Sequence, residues 1–531
     1  MRFSISSSRF FMLLVYGLIS AAYLLHTWSP ELASWEGDEM LYTLTAEYFS
    51  PWLDHSPAAV YAATNAKFPP LFPLVLAFTG GGGSVLAANI ATTVLLLLSF
   101  VVLFLWLKAE GLGEGKAFAL AFVFAILPGT YMQALFVASE GLYLILSLGC
   151  LIAVTKSERS SDNRWLMAAA LCVAAATLTR SAGWSLFVAF ATYLAWRKHS
   201  RTWQLSMMAA LPGAAWAIYK TTRSSIDEPG YFGILAEWYT ANPVWTSTNP
   251  VAVLLNQVLW EAPRFWKGLV ADFTTSSIGV WVFGFISLLF IAAVAYRLSL
   301  RKLDGIYVTI YLAMILVWPF GYAYTGEKRF AFAILPILMC QTWFLIERLP
   351  QTFLRHPRFN PVAVIYLSVM VLLALPSLVL AVARHFEPIE PDMEPFRRAG
   401  WWYGWYADGN MITRPQDRNY AKALSQGLRT LSALIPQDAC LYSPKSVSVS
   451  FYTKRISKLP PPERLDETEF RKALHENRCR YFFFTNDISP SISAQRFYPM
   501  ERLGDNVQQI AAIRYVDSND KMIVGILGKL N

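Results

Sequence analysis

Apolar and polar positions fall along this chain in long blocks rather than in short amphipathic periods. Apolar runs lie at about 10–28, 84–107, 116–129, 132–154, 165–180, 182–196, 203–220, 276–296, 306–323, 330–347 and 361–383. A helix that crosses a bilayer needs about 20 such residues, so the pattern predicts about eleven transmembrane helices, those near 116, 165 and 182 being short enough to tilt or re-enter. Basic residues punctuate the runs at Arg2/Arg9, Lys108/Lys116, Lys156/Arg159/Arg164, Arg197/Lys198/Arg201, Arg297/Arg301/Lys302 and Arg348/Arg355/Arg358. If every run crosses once, these all fall on one side, which the positive-inside rule makes cytoplasmic.

The opposite face then receives a first loop at about 30–83, a second at about 221–275, the connection at 324–329 and everything after about 384. The second loop carries Trp238, Tyr239, Trp245, Trp260 and Trp266, which suits short helices lying in the interface or covering a groove. The Gly80–Gly83 run lacks the Lys-Ser/Thr of a phosphate-binding loop and reads as a flexible turn before the second span. Beyond Glu387 the chain turns polar. Helical periodicity at Asn419–Leu434 and Glu467–Glu476 alternates with strand-like Ala439–Tyr442, Tyr481–Phe484 and Met522–Leu527, which implies a small α/β domain. The expected architecture is a polytopic α-helical membrane module over 1–385 and an extracytoplasmic α/β domain over 386–531. Counting the short Arg455-Ile456-Ser457 segment as the second strand, a 2-1-3 order makes Ala439–Tyr442 and Tyr481–Phe484 neighbours, and Cys440 and Cys479 come within bridging range at one sheet edge. A disulfide and two free thiols are then equally compatible with the pattern.

Composition agrees with a membrane protein: 55% of the 531 residues are hydrophobic and 15% charged, against about 25% charged in soluble domains. The net charge of +9 sits in clusters between apolar runs, so it marks topology and not a nucleic-acid surface. Cys150, Cys172 and Cys340 lie in apolar runs as small hydrophobes, and the six histidines show no ligand spacing, so no zinc or other metal site is expected. Arg2 and Arg9 ahead of the first run are compatible with a signal peptide, but its length and the lack of a small-x-small cleavage site favour an uncleaved anchor.

Chemistry concentrates on the outer face. Ser34–Tyr42 places Asp38 and Glu39 side by side just beyond the first run, and Lys67-Phe68-Pro69-Pro70-Leu71 closes the same loop. The plainer alternative is a solvated acidic loop. On a helix the two carboxylates point about 100° apart, so only one would face a reacting group. Glu140 is an acid at the outer end of an apolar run, where function or a paired partner is the default expectation. Arg180 ends the fifth run on the side that lacks other basic residues; it either pairs structurally with Glu140 or takes a phosphate. Lys328 and Arg329 precede the tenth run, and the alternative for both, as for Lys67, is snorkelling at the interface.

With these residues the chain resembles the GT-C superfamily of integral-membrane glycosyltransferases, in particular its protein-mannosyltransferase-like and aminoarabinose-transferase-like branch. The carriers are Asp38-Glu39 in the first outer loop, Lys67 with Pro69-Pro70-Leu71, the Leu178-Thr179-Arg180-x-x-Gly183 stretch, and Arg329-Phe330 ahead of Pro336. The resemblance implies a polyprenyl-phosphate sugar donor and a lipid, glycan or protein acceptor. It implies Asp38 as general base, Glu39 as its alternative or orienting partner, Glu140 as a second acid, and Lys67, Arg180, Lys328 and Arg329 as donor-phosphate ligands. No cofactor is implied; a divalent ion, used in the oligosaccharyltransferase branch, is not required with a monophosphate lipid. Trp401-Trp402-Tyr403-Gly404-Trp405 is superficially like that branch's acceptor signature but lacks its Asp, and reads as an aromatic belt. Two other classes stay open: a transporter or channel with Asp38, Glu140 and Arg180 lining its path, and a non-catalytic envelope-assembly protein. No glycosylation sequon and no endoplasmic-reticulum retention tail occur, which leans toward a bacterial inner membrane with a cytoplasmic N-terminus.

Overall fold

The computed structural model describes residues 7–34, 37–65, 68–160, 162–223, 250–274, 277–317, 326–348, 361–399, 415–461, 467–476, 479–485, 507–517 and 520–530. Each apolar run holds a helix. They are α1 (Ser7–Thr27), α5 (Val85–Ala109), α6 (Glu114–Ile126), α8 (Glu140–Ser160), α9 (Asn163–Thr179), α10 (Gly183–Trp196), α11 (Thr202–Arg223), α13 (Ser277–Ser299), α14 (Leu303–Val317), α16 (Leu335–Arg348) and α17 (Pro361–His385). Six stretches are long and apolar enough to cross a membrane: Ser7–Thr27, Val85–Ala109, Glu140–Ser160, Gly279–Ser299, Arg329–Arg348 and Pro361–Leu380. α9, α10 and α14 are apolar but shorter. Exposed side chains such as Phe10, Leu14 and Leu18 on α1, Trp281, Phe285 and Ile291 on α13, and Ile365, Leu372 and Val379 on α17 are the faces a bilayer would cover.

The fourth run does not make a single helix from 132. The short α7 (Pro128–Gln133) and a turn come first, so Glu140 opens α8 instead of lying inside a span. The first outer loop is itself helical: α2 (Asp38–Phe49), α3 (Pro57–Thr64) and α4 (Leu71–Phe78). Ser56 caps α3 by accepting from Ala59 N, with Pro57 at the first helical position. The glycine turn after α4 is not a loose hinge. A Cβ on Gly82 would stand 2.6 Å from Glu47 N, so the turn packs directly on the α2 backbone. In the second loop, residues 224–249, with Trp238, Tyr239 and Trp245, lie outside the described residues; residues 250–273, with Trp260 and Trp266, form one helix, α12 (Pro250–Phe273). The tenth run begins inside the short α15 (Gly326–Phe332), about two turns long, before α16.

The basic helix ends meet at one end of the bundle, as their alternation along the chain requires. Arg9 pairs with Glu114 at 3.0 Å, and Glu158 joins Arg197 and Lys302. At the same end Arg297 forks Asp304 (Nε–Oδ2 2.7 Å, Nη2–Oδ1 2.8 Å) and reaches Glu110 at 3.0 Å. Gln341 donates to Asp304 at 3.0 Å and Thr155 to Glu110 at 2.8 Å, which completes a buried cluster tying α5, α8, α13, α14 and α16 together.

Beyond α17 come a 3₁₀ turn (Pro391–Phe396), α18 (Pro415–Leu431), β1 (Cys440–Tyr442), α19 (Ser446–Thr453), β2 (Ile456–Lys458), α20 (Glu467–Glu476), β3 (Tyr481–Thr485), β4 (Val507–Asp517) and β5 (Asp520–Leu530). The sheet order is β2-β1-β3-β5-β4, parallel through its first three strands and antiparallel in its last two pairings. β1 and β3 are neighbours, and Cys440 and Cys479 stand there as a disulfide with Cα atoms 4.4 Å apart. β2 falls on the Arg455-Ile456-Ser457 segment, whereas β4 and α19 have no counterpart in the sequence pattern. Met40, Leu44 and Phe72 of the first loop pack in one cluster with Phe396, Leu424, Leu441, Val449 and Leu527, separate from the core of the bundle. Ion pairs Arg429–Glu31 and Lys454–Glu47, each 2.7 Å, cross the same junction. Trp401–Trp405 lies outside the described residues.

Candidate functional site

The site is built around the first turn of α2. Gly37, at φ 107° and ψ −150°, occupies backbone space closed to other residues and turns the chain sharply into the helix. Asp38 and Glu39 therefore open α2, where acidic groups also face the positive end of the helix dipole. The two then diverge. Asp38 is 30% exposed, whereas Glu39 is buried.

Arg329, on α15, joins Asp38 to Glu140: its Nη1 donates to Asp38 Oδ2 at 2.8 Å and its Nε to Glu140 Oε1 at 2.6 Å. Arg180, the C-cap of α9, donates to the same Glu140 oxygen at 2.6 Å and to Ser139 Oγ at 3.1 Å. Ser139 Oγ in turn lies 3.1 Å from the Tyr42 hydroxyl, one turn along α2 from Asp38. Four helices thus converge on two acids and two arginines. Exposure rises steadily across the set, from 0% at Glu140 through 11% at Arg180 and 19% at Arg329 to 30% at Asp38, so the cluster opens on its Asp38 side. Glu140 Oε2 is buried without a hydrogen-bond partner. The Arg180 guanidinium also lies 5.9 Å from the Phe330 ring, whose backbone carbonyl accepts from the Tyr311 hydroxyl at 2.9 Å.

Glu39 is engaged elsewhere. Its Oε1 accepts from Val137 N at 2.9 Å and its Oε2 from Ser34 N at 3.2 Å. It therefore fastens α2 to the turn before Glu140 on one side and to the chain leaving α1 on the other. Burial pushes its carboxyl up to about 7, against the two amide donors and, more weakly, Arg398 and Arg329.

Four of the candidates, Asp38, Glu140, Arg180 and Arg329, come together, and Glu39 stands beside them facing away. Lys67 lies outside the described residues, and for Lys328 only its backbone position in α15 is described. The sequence reading missed Ser139, Tyr42 and Arg398. Tyr42 was legible as the i+4 neighbour of Asp38, and Arg398 as one of two arginines following the last span on the side poor in cations. Among the described residues no group of three or more His, Cys, Asp or Glu could hold a metal ion.

No protein-family model matches the chain, and no curated protein does. Solved structures do. The crystal structure of ArnT from Cupriavidus metallidurans bound to undecaprenyl phosphate superposes with a TM-score of 0.53 at 14% identity, over 97% of each chain. The apo state of the same protein gives 0.53 at 12% identity over 98% of each. The likeness covers nearly the whole of both chains, so this chain shares the fold of that structure.

Proposed function

We propose that this integral membrane protein is an inverting glycosyltransferase that moves a sugar from a polyprenyl-phosphate donor to a lipid, glycan or protein acceptor. The reaction takes place on the extracytoplasmic face, in a bacterial inner membrane with the N-terminus cytoplasmic. The observation that carries the reading is Arg329 bridging Asp38 and Glu140 at the open side of the cluster. A solved structure of the same fold holds undecaprenyl phosphate, a polyprenyl phosphate of the kind that such a donor leaves behind when its sugar is transferred.

Without ligand, Arg329 is neutralised by Asp38. A donor phosphate competes for the same N–H groups, because a guanidinium fork matches phosphate oxygens as well as a carboxylate. Its arrival frees Asp38 to act as a base. Asp38 then takes the proton of the acceptor hydroxyl, whose oxygen attacks the anomeric carbon from the side opposite the phosphate. The carbon–oxygen bond to phosphate breaks, its electron pair stays on the phosphate oxygen, and Arg329 and Arg180 neutralise that charge as it develops. The anomeric configuration inverts. Glu140 keeps two arginines close together despite their repulsion, and Lys67 and Lys328 are further candidate phosphate ligands on the sequence resemblance alone.

Purified protein in lipid nanodiscs, given a labelled polyprenyl-phosphate sugar and membrane-extracted acceptors, is expected to release free polyprenyl phosphate and pass the label to an acceptor. Donor that stays intact, or that is only carried across a vesicle membrane, would refute the reading and favour the transporter class.

A further inference from the structure

The two arginines that meet at one oxygen of Glu140 sit on pieces of chain that cannot place themselves. Arg329 lies in α15, which is seven residues long, and Arg180 caps α9 at the turn into α10. A helix as short as α15 is not stable alone, so its position has to come from its neighbours.

Three tyrosines of the bundle interior, each 0% exposed, reach the backbone beside both arginines. Tyr311 on α14 donates to Phe330 O at 2.9 Å, in the residue that follows Arg329. The last four carbonyls of a helix find no partner inside it, and Phe330 carries one of them in α15. Tyr307, one turn earlier on α14, meets the Tyr311 ring edge to face at 5.9 Å. Its hydroxyl lies 2.8 Å from that of Tyr143 on α8. Tyr143 gives its one proton to Ala182 O at 3.2 Å, in the turn that carries Arg180, so Tyr307 is the donor within the tyrosine pair. Tyr143 also stands one turn along α8 from Glu140, so neighbouring turns of one helix hold the shared acid and the Arg180 turn. That turn has further ties: Ala182 O also accepts from Ser185 N at 3.0 Å and from Ser185 Oγ at 2.7 Å.

We propose that Tyr311 and Tyr143, joined through Tyr307, are positioning residues for Arg329 and Arg180. Two guanidiniums on one carboxylate oxygen repel each other, and flexible side chains alone do not fix the gap that a phosphate has to fill. The tyrosines fix the backbone under each arginine from inside the bundle, so that both forks reach the same phosphate group. They act through the arginines, and the assignment rests on the reading of Arg329 and Arg180 as donor-phosphate ligands.

The test is a titration of the full chain in nanodiscs with undecaprenyl phosphate, using Tyr→Phe variants that remove one hydroxyl each. Tyr311→Phe is expected to weaken binding about ten-fold, and Tyr143→Phe about three-fold because Ser185 still holds Ala182 O. A general loosening of the bundle would lower affinity whether or not the arginine is present, so each variant is repeated without its arginine. Tyr311→Phe is expected to cost nothing further in Arg329→Ala, and Tyr143→Phe nothing further in Arg180→Ala. The two pairs are independent, so either carries the test if a variant of the other does not fold. Parental affinity in the phenylalanine variants, or a loss of equal size with and without the arginine, overturns the assignment and leaves the donor reading standing. A parent chain that binds no undecaprenyl phosphate overturns both.

Discussion

Two clusters of buried acids and arginines sit at opposite ends of the helical bundle. At the end where α1 begins, Arg297 faces Asp304 and Glu110, with side chains 5%, 3% and 8% exposed and the acid oxygens further held by Gln341 and Thr155. At the other end, Asp38, Glu140, Arg180 and Arg329 grade from sealed to open, and the arginine nearest the opening holds the most exposed acid. The chemistry of the groups is the same in both. What differs is whether a charge is left where something else can reach it. The closed cluster can only hold helices together, while the open one has an ion pair that a ligand can exchange.

The largest expected effect breaks the closed cluster. Arg297→Ala strands two buried acids and is expected to cost about 3–5 kcal/mol of stability, while the folded fraction transfers sugar at the parental rate per molecule. Replacing Arg297, Asp304 and Glu110 together by apolar residues of similar volume should recover most of that loss. Thermal unfolding in nanodiscs, set against activity per folded molecule, checks both. If Arg297→Ala altered donor binding, the two ends would not be independent.

The next effect lies in the open cluster. Arg329→Ala or Arg180→Ala is expected to weaken binding of a polyprenyl-phosphate sugar about ten- to a hundred-fold, the scale of lost hydrogen bonds to a charged group. Arg329→Lys should not restore it, because a point charge cannot replace the fork. Donor titrations that match the parent in both alanine variants would place these arginines with Arg297 as structural.

A pH-dependent effect separates the two neighbours on α2. The Glu39 carboxyl is raised from 4.5 to about 7 by burial, so the folded state binds a proton over that window that the unfolded state does not. Its contribution to stability is fully present below about pH 4.5 and is lost as pH rises through about 7. Glu39→Gln removes that slope. The difference in stability between the two proteins should therefore shift by at most a few kcal/mol across the window. A pH-independent difference would show that Glu39 does not titrate there.

The bundle was legible because a long apolar run has one physical solution in a membrane, and because basic residues at alternate run ends fix which ends lie together. Asp38, Glu140, Arg180 and Arg329 were legible as charges placed where charge is costly. The sequence could not show that Asp38 and Glu140, a hundred residues apart, share one arginine. That depends on α7 and a turn displacing the start of α8, which the apolar run conceals. Nor did it separate Asp38 from Glu39, because the distinction comes from two backbone amides, Val137 and Ser34, that folding brings to Glu39. The shared core of the first outer loop and the terminal sheet was hidden for a similar reason. A composition change at Glu387 looks like a domain boundary, yet α2 through α4 bury their apolar faces against the elements that follow it.

The account stands or falls on Asp38. In parallel assays with a labelled polyprenyl-phosphate sugar, Asp38→Asn is predicted to fold and to bind donor at least as tightly as the parent, because the carboxylate competing for Arg329 is gone, while its turnover falls at least about 100-fold, the usual scale for losing a general base. Turnover near the parental value in that variant, with Glu39 intact, would contradict the assignment and with it the reading of the open cluster as a catalytic site.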